Sequence, residues 1–301
     1  MGERDEWLQR IGSIRQWNRN GERAPHKPLL ILTALAQLQQ TGSSTLRFAD
    51  AEPKLAQLLT EFGSPHTKPT PEYPFNRLQN DGLWVVDAGG IEVGEVKSKL
   101  RATNAAGSFT PDLEGALRDD PALGALVALD LLFDNWPETQ HADICRALGL
   151  DIEAFEDAAV RANAKKLRRR DPEFRRLVLV AYEYQCAICG YDGRLGSEAV
   201  GLDAAHVRWW AFDGPDDIGN GLCLCSLHHK LLDRGVIGLT PDGRVAVSQH
   251  FVGRGRAADD LVYRFVDEAL TPPQPGHELP RAEHVAWHAD QVFRGPARQA
   301  A

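Results

Sequence analysis

A chain of 301 residues is long enough for two ordinary domains. Its 43% apolar and 25% charged residues, with seven Trp, eleven Phe and five Tyr to fill a core, exclude a disordered chain, and no run of eighteen apolar residues could span a membrane as a helix. The net charge of −8 excludes a surface coated uniformly in positive charge, and the charged N-terminus has no apolar stretch behind it to act as a secretory signal, so a cytoplasmic protein is expected.

In chain order, Trp7, Leu8, Ile11, Ile14 and Trp17 fall near helical spacing and predict a helix over residues 4–19. A second helix is expected from Pro28, which suits a first helical position, to Gly42. Asp50 is placed to cap a third, ending before Gly63. The proline-rich run Ser64–Phe75 reads as extended or looped. Leu83–Asp87 and Ile91–Val96, separated by Ala88-Gly89-Gly90, predict a β-hairpin. Helical patterns return from Pro111 to about Ala162, broken at Pro121, Pro137 and Gly149. Asp171-Pro172 then opens a helix with Phe174, Leu177, Val178, Ala181 and Tyr182 on one face, and the last thirty residues read as an extended arm followed by a short helix.

Charge is unevenly distributed. Residues 111–160 hold twelve acidic and two basic side chains, whereas residues 161–176 hold eight basic and two acidic. The basic run is either a solvated helix whose charges answer each other or an arm that follows a phosphate backbone. Its polar part marks a domain boundary, giving an N-terminal domain at 1–155, a basic linker at 156–170 and a C-terminal domain at 171–301. The fold class expected is α+β.

Five cysteines, an odd number, argue against a disulfide framework. Cys145 lies in a helical stretch and reads as a small buried apolar residue. The other four cluster. Cys186-Ala-Ile-Cys189 and Cys225-Ser-Leu-His228 form two knuckles, each able to bring two ligands to one metal, and together they close a zinc tetrahedron. Cys223 stands two residues before Cys225 on a strand-like run. Its side chain is expected to leave by the opposite face, outside the metal set.

Around these ligands, Asp203-Ala-Ala-His206-Val and Asn220-Gly-Leu-Cys-Leu-Cys225-Ser-Leu-His228-His229-Lys-Leu-Leu-Asp233 resemble the HNH (ββα-metal) nuclease motif over about fifty residues. The resemblance implies structural zinc at Cys186, Cys189, Cys225 and His228. It implies that His206 is a general base that deprotonates water, and that Asn220 holds the imidazole through its amide or backbone carbonyl. His229 would bind one divalent ion, magnesium or manganese, that stabilises charge on the phosphate and the leaving oxygen. Many members carry an acid immediately before the first histidine, where this chain has Ala205. The second carboxylate ligand then lies between Asp203, about 6–7 Å back along the strand, and Asp233, one helical turn beyond His229.

A nuclease of this type leaves the first half unexplained. Ala24-Pro-His26-Lys27-Pro, Glu72-Tyr73-Pro74-Phe75-Asn-Arg77, Ala106-Gly-Ser-Phe-Thr-Pro111 and His141-Ala-Asp-Ile144 resemble the sulfur-binding domain of phosphorothioate-dependent, type IV-like restriction endonucleases, which join it to a C-terminal HNH domain. By that resemblance Tyr73 and Pro74 form an apolar cup for sulfur, which is larger and less well hydrated than the phosphate oxygen it replaces. His26, Lys27 and Arg77 would hold the remaining oxygens or reach base edges. On the residues alone, Tyr73-Pro74-Phe75 could equally be a core plug and Lys27-Pro28 a helix start.

The expected partner is double-stranded, phosphorothioate-modified DNA, with no membrane involvement. Cutting both strands with one site per chain suggests a homodimer. Two rivals stay open at this point: an HNH restriction enzyme that reads a modified base, and a zinc-stabilised DNA-binding module without catalysis.

Overall fold

Helices form in the first half of the chain where apolar residues repeat every three to four positions. In the computed structural model, which describes residues 2–19, 22–151 and 172–299, the chain divides into two units, Met1–Arg168 and Arg169–Ala301. The basic linker expected at 156–170, the helical pattern expected beyond Asp151 and the cap expected at Asp171 lie outside the described residues.

In the first unit, α1 (Glu3–Gly12) buries Trp7 and Ile11. It does not continue to Trp17 as the spacing suggests. Ser13 closes it with backbone bonds to Gln9 and Arg10, and Trp17 is 52% exposed, so no apolar face remains to extend the helix. A short hairpin of β1 (Asn18–Arg19) and β2 (Glu22–Arg23) follows. Next, α2 (His26–Thr41) is the central helix. Every residue from Pro28 to Ala36 is buried, and Gly42 ends it in the left-handed conformation. Strand β3 (Leu46–Arg47) leads into α3 (Phe48–Phe62), which begins two residues before Asp50 and ends where expected.

The proline-rich run is not looped to its end, because α4 (Glu72–Arg77) occupies its last part with Pro74 in the first turn, where a missing N–H costs nothing. The expected hairpin over 83–96 is also corrected. Strand β4 (Trp84–Asp87) pairs antiparallel with β5 (Ala106–Phe109), which also pairs with β3, giving the order β3-β5-β4. Gly89, Gly90 and Gly94 all take positive φ and Ile91 is 57% exposed, so residues 91–96 turn away and lead into α5 (Lys97–Ala102). Position 107 requires glycine: a Cβ there would lie inside van der Waals contact of the Trp84 indole. Helices α6 (Pro111–Asp119), α7 (Pro121–Asn135) and α8 (Glu138–Leu148) break at the expected prolines and glycine. One continuous core, from Trp7 to Leu150, includes the buried Cys145.

The second unit opens with α9 (Pro172–Ala181) and the hairpin β6 (Arg194–Leu195) and β7 (Glu198–Ala199). At its centre is a ββα element. Strands β8 (Leu202–His206) and β9 (Gly221–Cys225) pair antiparallel with His206 opposite Gly221, and α10 (Ser226–Asp233) follows without a break. The hairpin β10 (Ile237–Leu239) and β11 (Val245–Val247), α11 (Arg256–Leu261) and α12 (Ala282–Gln291) complete it around a second core. Helical first unit, small sheets and ββα second unit make the chain α+β. No helix among the described residues is long and apolar enough to cross a membrane.

Candidate functional site

Consecutive helical residues point about 100° apart, so His228 and His229 on α10 serve different sites. His228 turns towards Cys186, Cys189 and Cys225, and the four ligand atoms all lie within 4.8 Å of one another. His228 Nδ1 is 3.5 Å from Cys186 Sγ and 3.2 Å from Cys225 Sγ, and the Cys189 and Cys225 sulfurs are 4.0 Å apart. A tetrahedron with zinc–sulfur bonds of 2.3 Å has edges of about 3.8 Å, so this set fits zinc as it stands. His228 Nε2–H donates to the Leu261 carbonyl at 2.8 Å, which fixes the tautomer that leaves Nδ1 for the metal. Interactions with Cys186 and Cys189 hold the Cys225 thiol well below the ordinary range, whereas burial pushes Cys223 up to about 12. Cys223 is a neutral core thiol outside the ligand set.

His229 turns the other way. Its Nε2 is 3.3 Å from Asp233 Oδ2, and its Nδ1 is 3.4 Å from Asp203 Oδ2. The two carboxylates differ in setting. Asp233 is 2% exposed and accepts a hydrogen bond from Trp209 Nε1 at 3.1 Å, while Asp203 is 40% exposed. Between two carboxylates the ring either carries a proton on each nitrogen or, when neutral, turns one lone pair towards a carboxylate. A cation between that nitrogen and that oxygen removes the conflict, and Asp203, on the solvent side, is where an ion can enter.

His206, at the end of β8, is 6% exposed. Phe174 of α9 stacks on its ring at 4.2 Å with planes 20° apart. That approach depends on Gly221, because a Cβ there would strike Phe174 and Val178. His206 Nε2 lies 2.7 Å from Asp216 Oδ1. Asn220 is fully buried, and its hydrogen bonds are all to backbone. Its Oδ1 accepts from Arg208 N at 2.8 Å, its Nδ2 donates to the carbonyls of Arg208 and Pro215, and its own carbonyl accepts from Val207 N. Its side chain therefore clamps the loop that leaves His206. Ala205 is fully buried on the same strand, two residues after Asp203.

Asp216 is the residue that the sequence reading missed. Its signal was faint: an acid a few residues before the motif asparagine, in a segment rich in Asp and Gly that reads as an ordinary turn.

In the first unit Phe75 is fully buried, edge-on to Phe48 and Trp84, and anchors α4 in the core. Pro74 is buried with it, whereas Tyr73, about 200° around the helix from Phe75, is 41% exposed. The core-plug reading thus describes Phe75 and Pro74, and Tyr73 presents a ring to solvent. Arg77 stacks over that ring at 4.7 Å and makes a bidentate pair with Glu95, which holds the Glu95 carboxyl below its usual range. His26 Nε2 meets the Lys68 carbonyl at 2.9 Å, its Nδ1 is buried without a hydrogen bond, and burial lowers its pKa. Lys27 is paired with Asp81 at 2.5 Å, with side chains 12% and 6% exposed. That pair holds the Lys27 ammonium against Asp81 at the start of α2.

A family model for the ScoMcrA-like DNA sulfur-binding domain matches residues 4–153, and one for HNH endonucleases matches residues 186–240. Among solved structures, the sulfur binding domain of SprMcrA complexed with phosphorothioated DNA is similar at 21% identity and a TM-score of 0.43, over 50% of this chain and 95% of that one. The corresponding ScoMcrA domain in complex with phosphorothioated DNA matches at 22% and 0.42, over 50% and 97%. The type IV phosphorothioation-dependent restriction endonuclease ScoMcrA matches at 23% and 0.40, over 50% of this chain and 34% of that chain. No curated protein matches.

Proposed function

From a chain that joins a ScoMcrA-like DNA sulfur-binding domain to an HNH endonuclease domain, and so is a metal-dependent DNA endonuclease, we propose a restriction endonuclease that recognises phosphorothioate-modified duplex DNA and hydrolyses phosphodiester bonds near the modification. The observation that carries this reading is the presence of both domains in one chain, sulfur-binding first. Recognition is assigned to residues 1–155 and cleavage to 171–301, with 156–170 as linker.

On the recognition side, the exposed Tyr73 ring at the surface of the buried Pro74 is the apolar contact for sulfur. Phosphate oxygen would lose hydration there without replacement. Arg77, already lying over that ring, exchanges Glu95 for the remaining charged oxygen of the modified phosphate. His26, whose Nε2 meets the Lys68 carbonyl, is assigned to the same DNA-facing group.

On the cleavage side, His206 takes a proton from the attacking water. Asn220 holds the loop after His206, and His229 Nδ1 with Asp203 forms the site for a divalent ion, magnesium or manganese. Bound there, the ion supplies charge stabilisation at the phosphate and the leaving oxygen. Asp233, buried on the far nitrogen, orients His229. Cys186, Cys189, Cys225 and His228 hold structural zinc. Since one such site cuts one strand, duplex cleavage calls for a second copy of the chain.

The test is equilibrium binding of the zinc-loaded full-length chain, without magnesium or manganese, to two duplexes that differ by one sulfur. A preference of about tenfold or more, roughly 1.4 kcal/mol, that collapses in Tyr73→Ala is the expected result. Equal binding to both duplexes would end the phosphorothioate reading and leave the endonuclease standing.

A further inference from the structure

Within the second unit, the loop between β8 and β9 holds one acid whose neighbours are fixed on both sides. The Pro215 carbonyl accepts from Asn220 Nδ2 at 3.1 Å. Asp217 Oδ2 accepts from Arg281 Nη1 at 3.0 Å, and Arg281 N donates to the Gly219 carbonyl at 2.8 Å. The residue between them, Asp216, is thus held from the motif asparagine on one side and from the start of α12 on the other. Its carboxylate lies 2.7 Å from His206 Nε2, while Phe174 stacks on the same ring and fixes its plane. An imidazole restrained by a stacked ring, with a carboxylate on one nitrogen carried by a loop anchored at 215, 217 and 219, has one orientation available. A chance surface contact would show no such scaffold.

We infer that Asp216 is a positioning residue for the hydrolysis: it accepts the Nε2–H of His206, fixes that tautomer, and directs Nδ1 as the nitrogen that receives the proton of the attacking water. An ionised carboxylate can only accept a hydrogen bond, so the shared proton resides on Nε2 and the basic lone pair on Nδ1. As water loses its proton to Nδ1 the ring becomes an imidazolium. The adjacent carboxylate then stabilises a positive charge that is absent in the ground state, an effect that raises kcat and not substrate affinity. No proton passes to Asp216. The Arg281 contacts give the C-terminal segment a part in the same arrangement, because they hold the residues on the far side of Asp216. This inference rests on the assignment of His206 as the base.

The experiment uses the full-length zinc-loaded chain and the variants Asp216→Asn, Asp216→Glu and His206→Ala. Cleavage of a phosphorothioate-containing duplex with Mn²⁺ gives kcat and KM, and ¹⁵N shifts of the His206 ring nitrogens, without Mn²⁺, report the tautomer. Asp216→Asn is expected to lose about 10²-fold or more in kcat with KM within about threefold, and to lose the single Nε2–H signature. Asp216→Glu keeps a carboxylate and is expected to recover the Nε2–H tautomer and at least part of the rate. Unchanged zinc content and melting temperature in both variants separate this from loss of structure. If Asp216→Asn cleaves at the native rate, or if either folded variant is inactive while His206 keeps the native tautomer, the inference is overturned. If His206→Ala cleaves as well as the native chain, the base assignment falls instead, and the tautomer spectra still report whether Asp216 orients the ring.

Discussion

The His229 ring sits between two carboxylates that it cannot serve alike. Asp233 is buried and also bound by Trp209, while Asp203 is half-exposed at the other nitrogen. Spacing alone left the two acids equivalent, because one lies on the strand and the other a helical turn away, and both reach His229. Only the ring's orientation separates them. Asp203→Asn should therefore weaken the divalent ion itself, raising the Mn²⁺ concentration for half-maximal cleavage by about tenfold or more. Asp233→Asn should act through ligand orientation, which typically costs 10–100-fold in affinity or activity, and should also loosen Trp209, seen as a change in indole fluorescence that Asp203→Asn does not produce. Titrating Mn²⁺ against cleavage in both variants checks this. An ion requirement unchanged in Asp203→Asn would move the ion to the Asp233 side.

At the scale of elements, the same helix carries His228 and His229, and its far end is tied down by α12. His288, completely buried, lies 3.1 Å from the Leu232 carbonyl through Nε2, at the last turn of α10. Burial lowers its pKa to about 4, with the Leu232 bond and the Asp233 charge opposing. A histidine lowered in the native state binds fewer protons there than in the unfolded chain. Its contribution is fully present above about pH 6.5 and is lost as pH falls towards 4. Between pH 7 and 5 this amounts to roughly 2 kcal/mol. Urea unfolding at those two pH values should show the native chain losing about that much more stability than His288→Gln. The zinc ligands titrate alike in both proteins and cancel in the difference. Equal losses would mean that His288 is not held neutral.

Elements were legible where local chemistry decides them. The knuckles Cys186/Cys189 and Cys225/His228 declare their metal by spacing, and α6, α7 and α8 break at Pro121, Pro137 and Gly149. Strand pairing was not legible: β4 finds its partner twenty residues on, at the glycine that admits Trp84, and not at the nearer apolar run. Tyr73 and Phe75 look interchangeable in sequence, and only the helix that forms there sends one outward and one into the core. Asp216 was invisible for a related reason, since its meaning comes from anchors at Asn220 and Arg281 that converge only on folding.

Among the described residues two large cores share no residue, one running from Trp7 to Leu150 and the other from Phe174 to Val285, with a small cluster of Trp209, Trp287 and Val292 beside the second. The metal cluster belongs entirely to the second. Each core is large enough for a domain, and the second also carries the four ligands through which a bound metal ion would tie residues 186–189 to 225–228. Structural zinc bound by such a set contributes on the order of 10 kcal/mol to folding in small metal domains, a quantity comparable to the whole stability of an ordinary domain. Removing zinc should therefore act on one unit alone. Calorimetry of the full-length chain should resolve two transitions, and a chelator strong enough for structural zinc should abolish or sharply lower one while leaving the other in place. Binding to the sulfur-containing duplex should survive the same treatment, since Tyr73 and Arg77 belong to the unit without the metal, whereas cleavage should not return on adding Mn²⁺ until zinc is restored. A single transition that moves as a whole with chelator would mean that the two units fold as one body, and the separation of recognition from cleavage along the chain would have to be given up.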